Sequence, residues 1–371
     1  MFEGISSSRS VFRGRLLFTL LFGLGALPST SRGPAGNRPV TVRAPAVLIG
    51  REPQAQPVHL DLTPSGFVAR LPAAGPTTPL PRVQDAVAAS DGSLYVLDGG
   101  RGVVYEFDRR GAVERTLGGP GRGDGQMLYP IALAMDERGE LYVLDLGNQR
   151  VATFDLAQAR PAFSAFGVRR ASSGLCLADS AVITFGAAGD SLLRVIDVHG
   201  GVRSTIGTPY SQSEMVELTL AYGYLTCARD GDEVVVLPSA LRELRTYRIG
   251  SGRLLWEVSL PGYRPQMITQ SGNQVTITAP PGGFDEARGI HLIRSDIVVV
   301  QVSFRKPRTE APDAGEQLTT YYYRLSDGQY LGRETDLPRL VAVADTIAFF
   351  ADKTDSVTIR GFRYRVTGGP R

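Results

Sequence analysis

Three histidines are the residues of this 371-residue chain that most directly suggest metal chemistry. His59 lies in a strand-like run, His199 lies in the tight turn Asp-Val-His-Gly-Gly, and His291 stands alone in an apolar run. A catalytic zinc ion needs three protein ligands that converge on it. Because the three histidines occupy such different kinds of position, we do not expect them to converge, and the sequence predicts no zinc site.

Other catalytic patterns are equally weak. A divalent-cation site that combines carboxylates with amides could draw on only three asparagines, Asn37, Asn148 and Asn273. No acidic cluster accompanies them, and the sequence contains no Gly-x-Ser-x-Gly nucleophile turn. We therefore predict no cofactor and no resident metal. The first candidate ligands, should a cation bind, are Asp98, Asp145 and Asp190.

The two cysteines, Cys176 and Cys227, lie in short apolar runs. Two buried thiols that behave as small apolar side chains are the favoured interpretation. The alternative is one disulfide bridge between neighbouring sheets, which an exported protein can form.

Arginine and tyrosine side chains in turn-rich segments offer binding chemistry. Arginine suits planar anions such as carboxylates and phosphates, and both residue types are frequent in binding surfaces. The candidate ligand-binding residues are Arg101, Arg122, Arg169, Arg170, Tyr210, Arg264 and Lys306. The competing interpretation, favoured for any single residue, is that these are solvated side chains of an arginine-rich protein.

The elements that must position these residues are β-strands. From residue 83 onward, short alternating apolar runs are broken by glycine-containing turns, and no stretch has a convincing helical period. Residues 93–118 and 140–167 share a Leu-Tyr-Val-Leu-Asp strand and a following strand that ends in Phe-Asp. Each copy holds four strands in about 40–50 residues, which is the size of one propeller blade.

The repeat predicts an all-β chain, a six-bladed β-propeller of four-stranded antiparallel blades over residues 58–366. The blades are expected at about 83–118, 128–167, 174–207, 224–260, 289–336 and 340–366. Because the last copy has only three strands, we expect the N-terminal region 58–71 to supply the fourth and close the ring. Loops entering the blades and loops joining their middle strands then share one end, which carries the candidate binding residues.

Residues 264–288 interrupt this rhythm with one hairpin and a Pro-Pro-Gly-Gly stretch. We interpret the segment as an insertion or as part of a displaced blade. A seven-bladed ring is the alternative, and it requires that this segment complete four strands.

Residues 1–31 are predicted to be a signal peptide, because three arginines precede the apolar run 16–27 and small residues follow it. This run is shorter than the roughly 20 residues that span a bilayer. The expected localisation is secreted or periplasmic, with no membrane span in the mature chain, and an uncleaved N-terminal membrane anchor is the alternative. Residues 32–57 are interpreted as a Pro/Gly-rich linker and 367–371 as a tail.

The charge balance argues against a nucleic-acid partner. The formal net charge is +3, but without residues 1–31 the chain keeps 37 basic and 36 acidic side chains. A nearly neutral mature chain lacks the basic surface of nucleic-acid-binding proteins. The expected partner is an unknown protein or a small anionic ligand, bound by a monomer.

Segment 118–155 resembles an NHL-type propeller repeat. That pattern has a Gly-rich loop ending in Gly-Gln, then Pro, Asp and Gly before a Tyr-Val-x-Asp strand and an Asn-x-Arg-Val turn. The matching residues are Gly125, Gln126, Pro130, Asp136, Gly139, Tyr142, Val143, Asp145, Asn148, Arg150 and Val151. Segment 83–118 matches in part, and the other copies hardly match. We expect Asp145 and Asn148 to bind the backbone of their own turn, and Arg150 to reach Asp145.

The resemblance frames two functions. Some secreted NHL-like propellers are lyases that hold zinc through channel histidines, and gluconolactonase-like propellers hold a divalent cation there. Because neither ligand set is recognisable here, we predict an exported propeller that acts as a ligand- or protein-binding module and is not an enzyme. A metal-dependent lactonase or lyase with its site in the central channel is the alternative, since one fold hosts many activities.

Overall fold

The computed structural model describes residues 38–39, 56–73, 75, 81–158, 161–168, 172–179, 181–186, 191–211, 213–220, 222–228, 232–272, 274–306, 317–335, 337–352 and 357–369. The predicted signal peptide 1–31, most of the predicted linker 32–57 and residues 370–371 of the tail lie outside them.

The described residues confirm the six-bladed propeller, with six four-stranded antiparallel sheets. Blade 1 contains Val83–Ala88, Leu94–Asp98, Val103–Phe107 and Val113–Gly118. Blade 2 contains Pro130–Met135, Glu140–Asp145, Arg150–Asp155 and Ala162–Gly167, and a 3-10 turn, Leu146–Asn148, joins its middle strands. Blade 3 contains Gly174–Ala178, Ala181–Phe185, Leu193–Asp197 and Val202–Ile206.

The remaining blades follow the same strand order. Blade 4 contains Gly223–Cys227, Glu233–Pro238, Glu243–Arg248 and Leu254–Ser259. Blade 5 contains Phe284–Ile293, Ile297–Arg305, Leu318–Arg324 and Tyr330–Thr335. Blade 6 contains Arg339–Val343, Ile347–Ala351 and Thr358–Thr367, and its outer strand is His59–Arg70.

Each blade packs between two neighbours, which is why its second strand is apolar on both faces. Leu94–Asp98, for example, is buried at every position. Six apolar clusters fill the six junctions between adjacent blades. The first strand of every blade contacts the first strands of both neighbours. These six inner strands therefore surround the central channel.

The ring is closed by the N-terminal strand, as predicted. His59–Arg70 pairs antiparallel with Thr358–Thr367, with an irregularity between Pro64 and Val68. The seam is also packed closely on the side of blade 1. Gly111 there has φ +89°, and a Cβ on it would lie 2.0 Å from the Val68 carbonyl oxygen. Such an approach needs a residue without a side chain.

The segment 264–288 is divided between two structures and does not form a seventh blade. Its hairpin, Met267–Ser271 and Gln274–Thr278, forms a separate three-stranded sheet with Arg38–Pro39. The rest includes the start of the inner strand of blade 5, at Phe284 and not at about 289.

A helix, Glu214–Leu220, was not expected from the sequence. It lies in the connection from blade 3 to blade 4 and packs Val216 and Leu220 against the same apolar cluster as Val275 of the hairpin. Seven residues make only two turns, which is too short for an apolar period to be recognised.

The two cysteines form a disulfide, so the expectation of two free buried thiols is wrong. Cys176 and Cys227 lie in the inner strands of blades 3 and 4, with their Cα atoms 5.7 Å apart. The alternative of one bridge between neighbouring sheets is the correct one. The bond joins two adjacent walls of the channel covalently.

We expect reduction of this disulfide to destabilise the ring. The disulfide joins two residues that are 51 positions apart and so restrains the unfolded chain. Loss of this restraint lowers the free energy of unfolding by about 2–4 kcal/mol. Calorimetry should show a lower melting temperature in reductant. The double variant Cys176→Ala, Cys227→Ala is the control and should melt at one temperature with or without reductant. An unchanged melting temperature of the reduced wild type would contradict this.

Candidate functional site

Charged and polar side chains on the inner strands meet in the central channel. They come from four different blades, which we call together the channel cluster: Asp85, Tyr224, Glu286, Arg288 and Arg339. The connections into the blades and between their middle strands lie at one end of the ring, the upper end. Each of these residues except Arg288 is within three positions of the start of its inner strand, which places the cluster towards that end.

Tyr224 interacts electrostatically with the other four members of the cluster. Burial raises the pKa of this phenol, Arg339 and Arg288 oppose the rise, and Glu286 and Asp85 add to it. Tyr224 belongs to blade 4 and Asp85 to blade 1, which lie opposite each other in a ring of six. An electrostatic interaction between them must therefore cross the central channel.

Arg339 is held at the junction of blades 6 and 1. Its Nη1 and Nη2 atoms donate to the backbone carbonyls of Val83 and Gln84 at 3.0 and 3.1 Å. Its Nε is buried and has no hydrogen-bond partner among the described residues. The guanidinium is thus fixed by the backbone, and its Nε–H is left without a partner in the described part of the chain.

Arg288 is positioned by its own blade. Its Nη2 lies 2.9 Å from Oε2 of Glu286, and its Nε donates to the Ser303 hydroxyl at 2.8 Å. Arg305 also donates to Glu286, at 3.1 Å. Two guanidinium groups therefore share one carboxylate, which leaves an excess of positive charge at this wall.

Asp85 uses both carboxylate oxygens to join blades 1 and 2. Its Oδ1 accepts from the Ala86 N–H at 2.9 Å and its Oδ2 from the Leu133 N–H at 2.8 Å. Burial raises the pKa of Asp85 to about 6, although both backbone hydrogen bonds and Arg339 favour the charged form. The carboxylate is engaged in structure and is poorly placed to serve as a metal ligand.

Below the cluster, His291 and Gln301 join blades 5 and 6. Nε2 of His291 lies 3.1 Å from the Leu340 carbonyl oxygen. Burial, with a smaller contribution from Arg339, lowers the pKa of His291 to about 4, although the hydrogen bond to Leu340 opposes this. Gln301 accepts from the Leu340 N–H at 2.7 Å and donates to the Pro338 carbonyl at 2.9 Å. His291 is therefore neutral near pH 7.

The other histidines lie far from this wall in the fold. His59 is in the outer strand of blade 6, where Nδ1 lies 3.8 Å from Glu334, and His199 is exposed in an outer turn of blade 3. Among the described residues, no group of three or more His, Cys, Asp or Glu side chains could hold a metal ion.

The candidate residues from the sequence separate into two groups. Arg264 and Lys306 both lie at the upper end of blade 5. Arg264 forms an ion pair with Asp285 at 2.8 Å and stacks over Phe304, 3.7 Å from the ring centre, and Lys306 is exposed just beyond the strand Ile297–Arg305. They extend the positive wall formed by Arg288 and Arg305.

The other candidates are dispersed. Arg101 donates to the Pro72 carbonyl at 2.7 Å, and Arg122 donates to the Gly147 carbonyl at 3.3 Å. Tyr210 is buried, with the Arg245 guanidinium 4.0 Å from its ring centre. Arg169, Arg170 and Asp190 lie outside the described residues.

The aspartates named as fallback cation ligands organise connections. Asp98 is buried and accepts from the N–H groups of Arg82, Gly100 and Arg101. Asp145 accepts from the Leu128 N–H at 2.7 Å and pairs with Arg150 at 3.0 Å. These contacts are made by loops entering the blades as well as by the turns themselves.

Blade 2 corrects one detail of the expected turn. Arg150 reaches Asp145 as expected, but Asp145 and Asn148 bind the preceding Gly-rich loop and not the backbone of their own turn. Asn148 donates to the Gly121 carbonyl at 3.0 Å and to Asp145 at 2.6 Å. The turn and the loop are locked together through one buried carboxylate.

Sequence reasoning missed the channel cluster, although a signal was present. Asp85, Arg288 and Arg339 are charged residues within otherwise strand-like runs at the first strand of a repeat. In a propeller the first strand of each blade lines the channel, so such residues point to a site there.

Comparison with known proteins identifies the class of protein. No family model and no curated protein matches the sequence. Many solved structures match, and three of them that each align with 83% of this chain illustrate the likeness. They are a DUF4221 family member from Bacteroides vulgatus (9% identity, 98% of that chain, TM-score 0.55), a Bacteroides fragilis protein described as exported (11%, 95%, 0.53) and the RRP9 WD40 repeats (10%, 100%, 0.50).

At these identities the likeness concerns the fold alone, and all three agree with a β-propeller. The chain is a six-bladed β-propeller whose inner strands carry a charged channel. Within the described part of the chain, no helix has the length and hydropathy needed to cross a bilayer.

Asp85 and His291 are expected to give stability opposite dependences on pH. The raised pKa of Asp85 means that the folded state holds its proton more tightly, so stability falls as pH rises from about 4 to about 6. The lowered pKa of His291 means that the folded state resists protonation, so stability falls as pH drops from about 6.5 to about 4.

In the wild type the two slopes oppose each other. The measured quantity is the free energy of unfolding of a variant minus that of the wild type. Between pH 4.5 and 6 this difference should rise with pH for Asp85→Asn and fall with pH for His291→Gln. Each slope should be about 1.4 kcal/mol per pH unit. Urea unfolding at four pH values measures both. Slopes of the same sign in the two variants would refute the assignment.

Proposed function

We propose that this protein is an exported binding module that takes a small organic anion at the upper mouth of its central channel. The observation that carries the proposal is the channel cluster itself. Arg288, Arg339 and Tyr224 come from three consecutive blades, and each arginine lies within electrostatic reach of Tyr224. A ligand between them would contact all three blades.

The chemistry of the two arginines favours an anion. A guanidinium binds planar carboxylates and phosphates through paired N–H donors. Arg339 and Arg288 are already held by carbonyl, hydroxyl and carboxylate oxygens, so little side-chain freedom is lost on binding. Arg264 and Lys306, predicted from the sequence, add positive charge at the same mouth.

The carboxylates of the channel fit binding better than metal catalysis. Asp85 is occupied by two backbone N–H groups and Glu286 by two arginines. Two arginines beside Glu286 disfavour a further cation there, and the hydrogen bonds of Asp85 fix its carboxylate to the backbone of blades 1 and 2. The lactonase or lyase alternative is therefore less well supported.

We also infer that blade 2 is an NHL-type repeat. The residues that carry the resemblance act as one unit, because Asp145 receives bonds from Leu128, Asn148 and Arg150 together. Arg150 also donates to the Gln126 carbonyl at 2.6 Å. This network gives Asp145, Asn148 and Arg150 a shared structural role in blade 2.

Export is the proposed localisation. It is supported by the arginines before the apolar run 16–27 and by the Cys176–Cys227 disulfide, since disulfides persist in oxidising compartments. N-terminal sequencing of the exported protein should find a mature end between about residues 26 and 37. Recovery of intact Met1 would argue for the uncleaved anchor.

The ligand proposal is tested by anion titration. Inorganic phosphate, citrate and 2-naphthoate serve as probes in thermal-shift and calorimetric measurements. At a hundredfold excess over Kd, a bound anion adds about 2.7 kcal/mol to the free energy of unfolding. We expect at least one probe to bind, and Arg288→Gln and Tyr224→Phe to weaken it, the former by about tenfold.

The matched control is Arg138→Gln, which removes an exposed arginine from a turn at the other end of the propeller. It should bind the probes like the wild type. If no probe binds, or if Arg288→Gln and Arg138→Gln bind equally well, the proposed site is wrong.

A further inference from the structure

Two exposed tyrosines stand directly in front of inner strands. Tyr129 is 60% exposed and precedes Pro130, the first residue of the blade 2 inner strand. Tyr222 is 37% exposed and precedes Gly223, the first residue of the blade 4 inner strand. Since consecutive Cα atoms are about 3.8 Å apart, both residues lie at the upper mouth of the channel.

The backbone of Tyr129 is strained and firmly held. Its φ is +52°, a left-handed conformation that a bulky residue rarely adopts. The preceding residue is fixed on both sides, because the Leu128 N–H donates to Asp145 and the Leu128 carbonyl accepts from the Gly147 N–H, each at 2.7 Å. The surrounding loop therefore imposes the conformation and presents the side chain to solvent.

Stability alone does not account for this arrangement. A glycine or asparagine would adopt this φ with less strain, and a polar side chain would suit the exposure better. Strained, exposed aromatic residues beside a cleft are instead typical of ligand contacts. Tyr222 is similarly tied in, since its carbonyl accepts from the Ser239 N–H at 2.7 Å.

We propose that Tyr129 and Tyr222 form an aromatic rim that contacts a planar ring of the ligand, whose anionic group reaches the channel cluster below. The ligand class is then an organic anion that carries an aromatic ring. This inference rests on the proposed function, because the ring is positioned by the anion beneath it. Tyrosine binds flat rings through stacked or edge-to-face contacts.

The test compares two anions of the same carbon skeleton. 2-Naphthoate is planar, and decahydro-2-naphthoate is its saturated, non-planar counterpart. We expect the wild type to bind 2-naphthoate about tenfold more tightly. Tyr129→Leu and Tyr222→Leu should each reduce this preference, while Tyr129→Phe and Tyr222→Phe should retain it, because phenylalanine keeps the ring.

Val202→Ala controls for adhesion of an apolar probe to the surface. Val202 is 59% exposed in the outer strand of blade 3, away from the channel, and its loss should change neither affinity. Equal affinities for the two anions, or a preference that survives both leucine variants, would overturn the aromatic rim.

The outcomes separate this inference from the proposed function. If Arg288→Gln lowers the affinity for 2-naphthoate but Tyr129→Leu and Tyr222→Leu do not, the anion site is supported and the aromatic rim is wrong. If Arg288→Gln leaves both anions unaffected, the proposed function fails and the inference fails with it.

Discussion

Every blade of this propeller depends on the closure of the ring. A single four-stranded sheet here is apolar on both faces and can bury them only between two neighbours. The chain satisfies this for blade 6 by pairing its earliest long strand, His59–Arg70, with its last, Thr358–Thr367. Pairing residues from opposite ends of the chain removes two sheet edges and gives blades 1 and 5 their last neighbour.

Closure also creates the channel in which the proposed site lies. The six inner strands surround this channel, and Asp85, Arg339 and His291 on them each contact the backbone of a neighbouring blade. Arg339 illustrates this, since its guanidinium binds carbonyl groups of blade 1. The bonds that join blades 6 and 1 therefore also fix the Arg339 guanidinium at the channel wall.

Burial shifts two groups of the channel wall towards their neutral forms. It lowers the pKa of His291, to which nearby Arg339 contributes, and it raises the pKa of Asp85 although two N–H groups favour the carboxylate. Perturbed pKa values are common in binding sites. The disulfide at Cys176–Cys227 joins the blade 3 and blade 4 walls, so the side of the channel that carries Tyr224 is covalently restrained.

The blades could be predicted from the sequence, because alternation of apolar residues and glycine turns is local and repeats along the chain. The sequence also indicated the closing strand, since the last copy lacked a fourth strand. It did not predict the helix Glu214–Leu220, which is too short to show a period, or the disulfide, since two cysteines 51 residues apart do not reveal whether they meet.

Which charged residues share the channel depends on how the ring closes. Arg264 and Lys306 could be assigned to one end from the order of loops, but Tyr210 proved to be buried beneath Arg245. Asp85, Tyr224, Arg288 and Arg339 are distant in the chain and meet only because the ring brings blades 1, 4, 5 and 6 around one axis. Proximity across a channel depends on closure, and no local pattern encodes it.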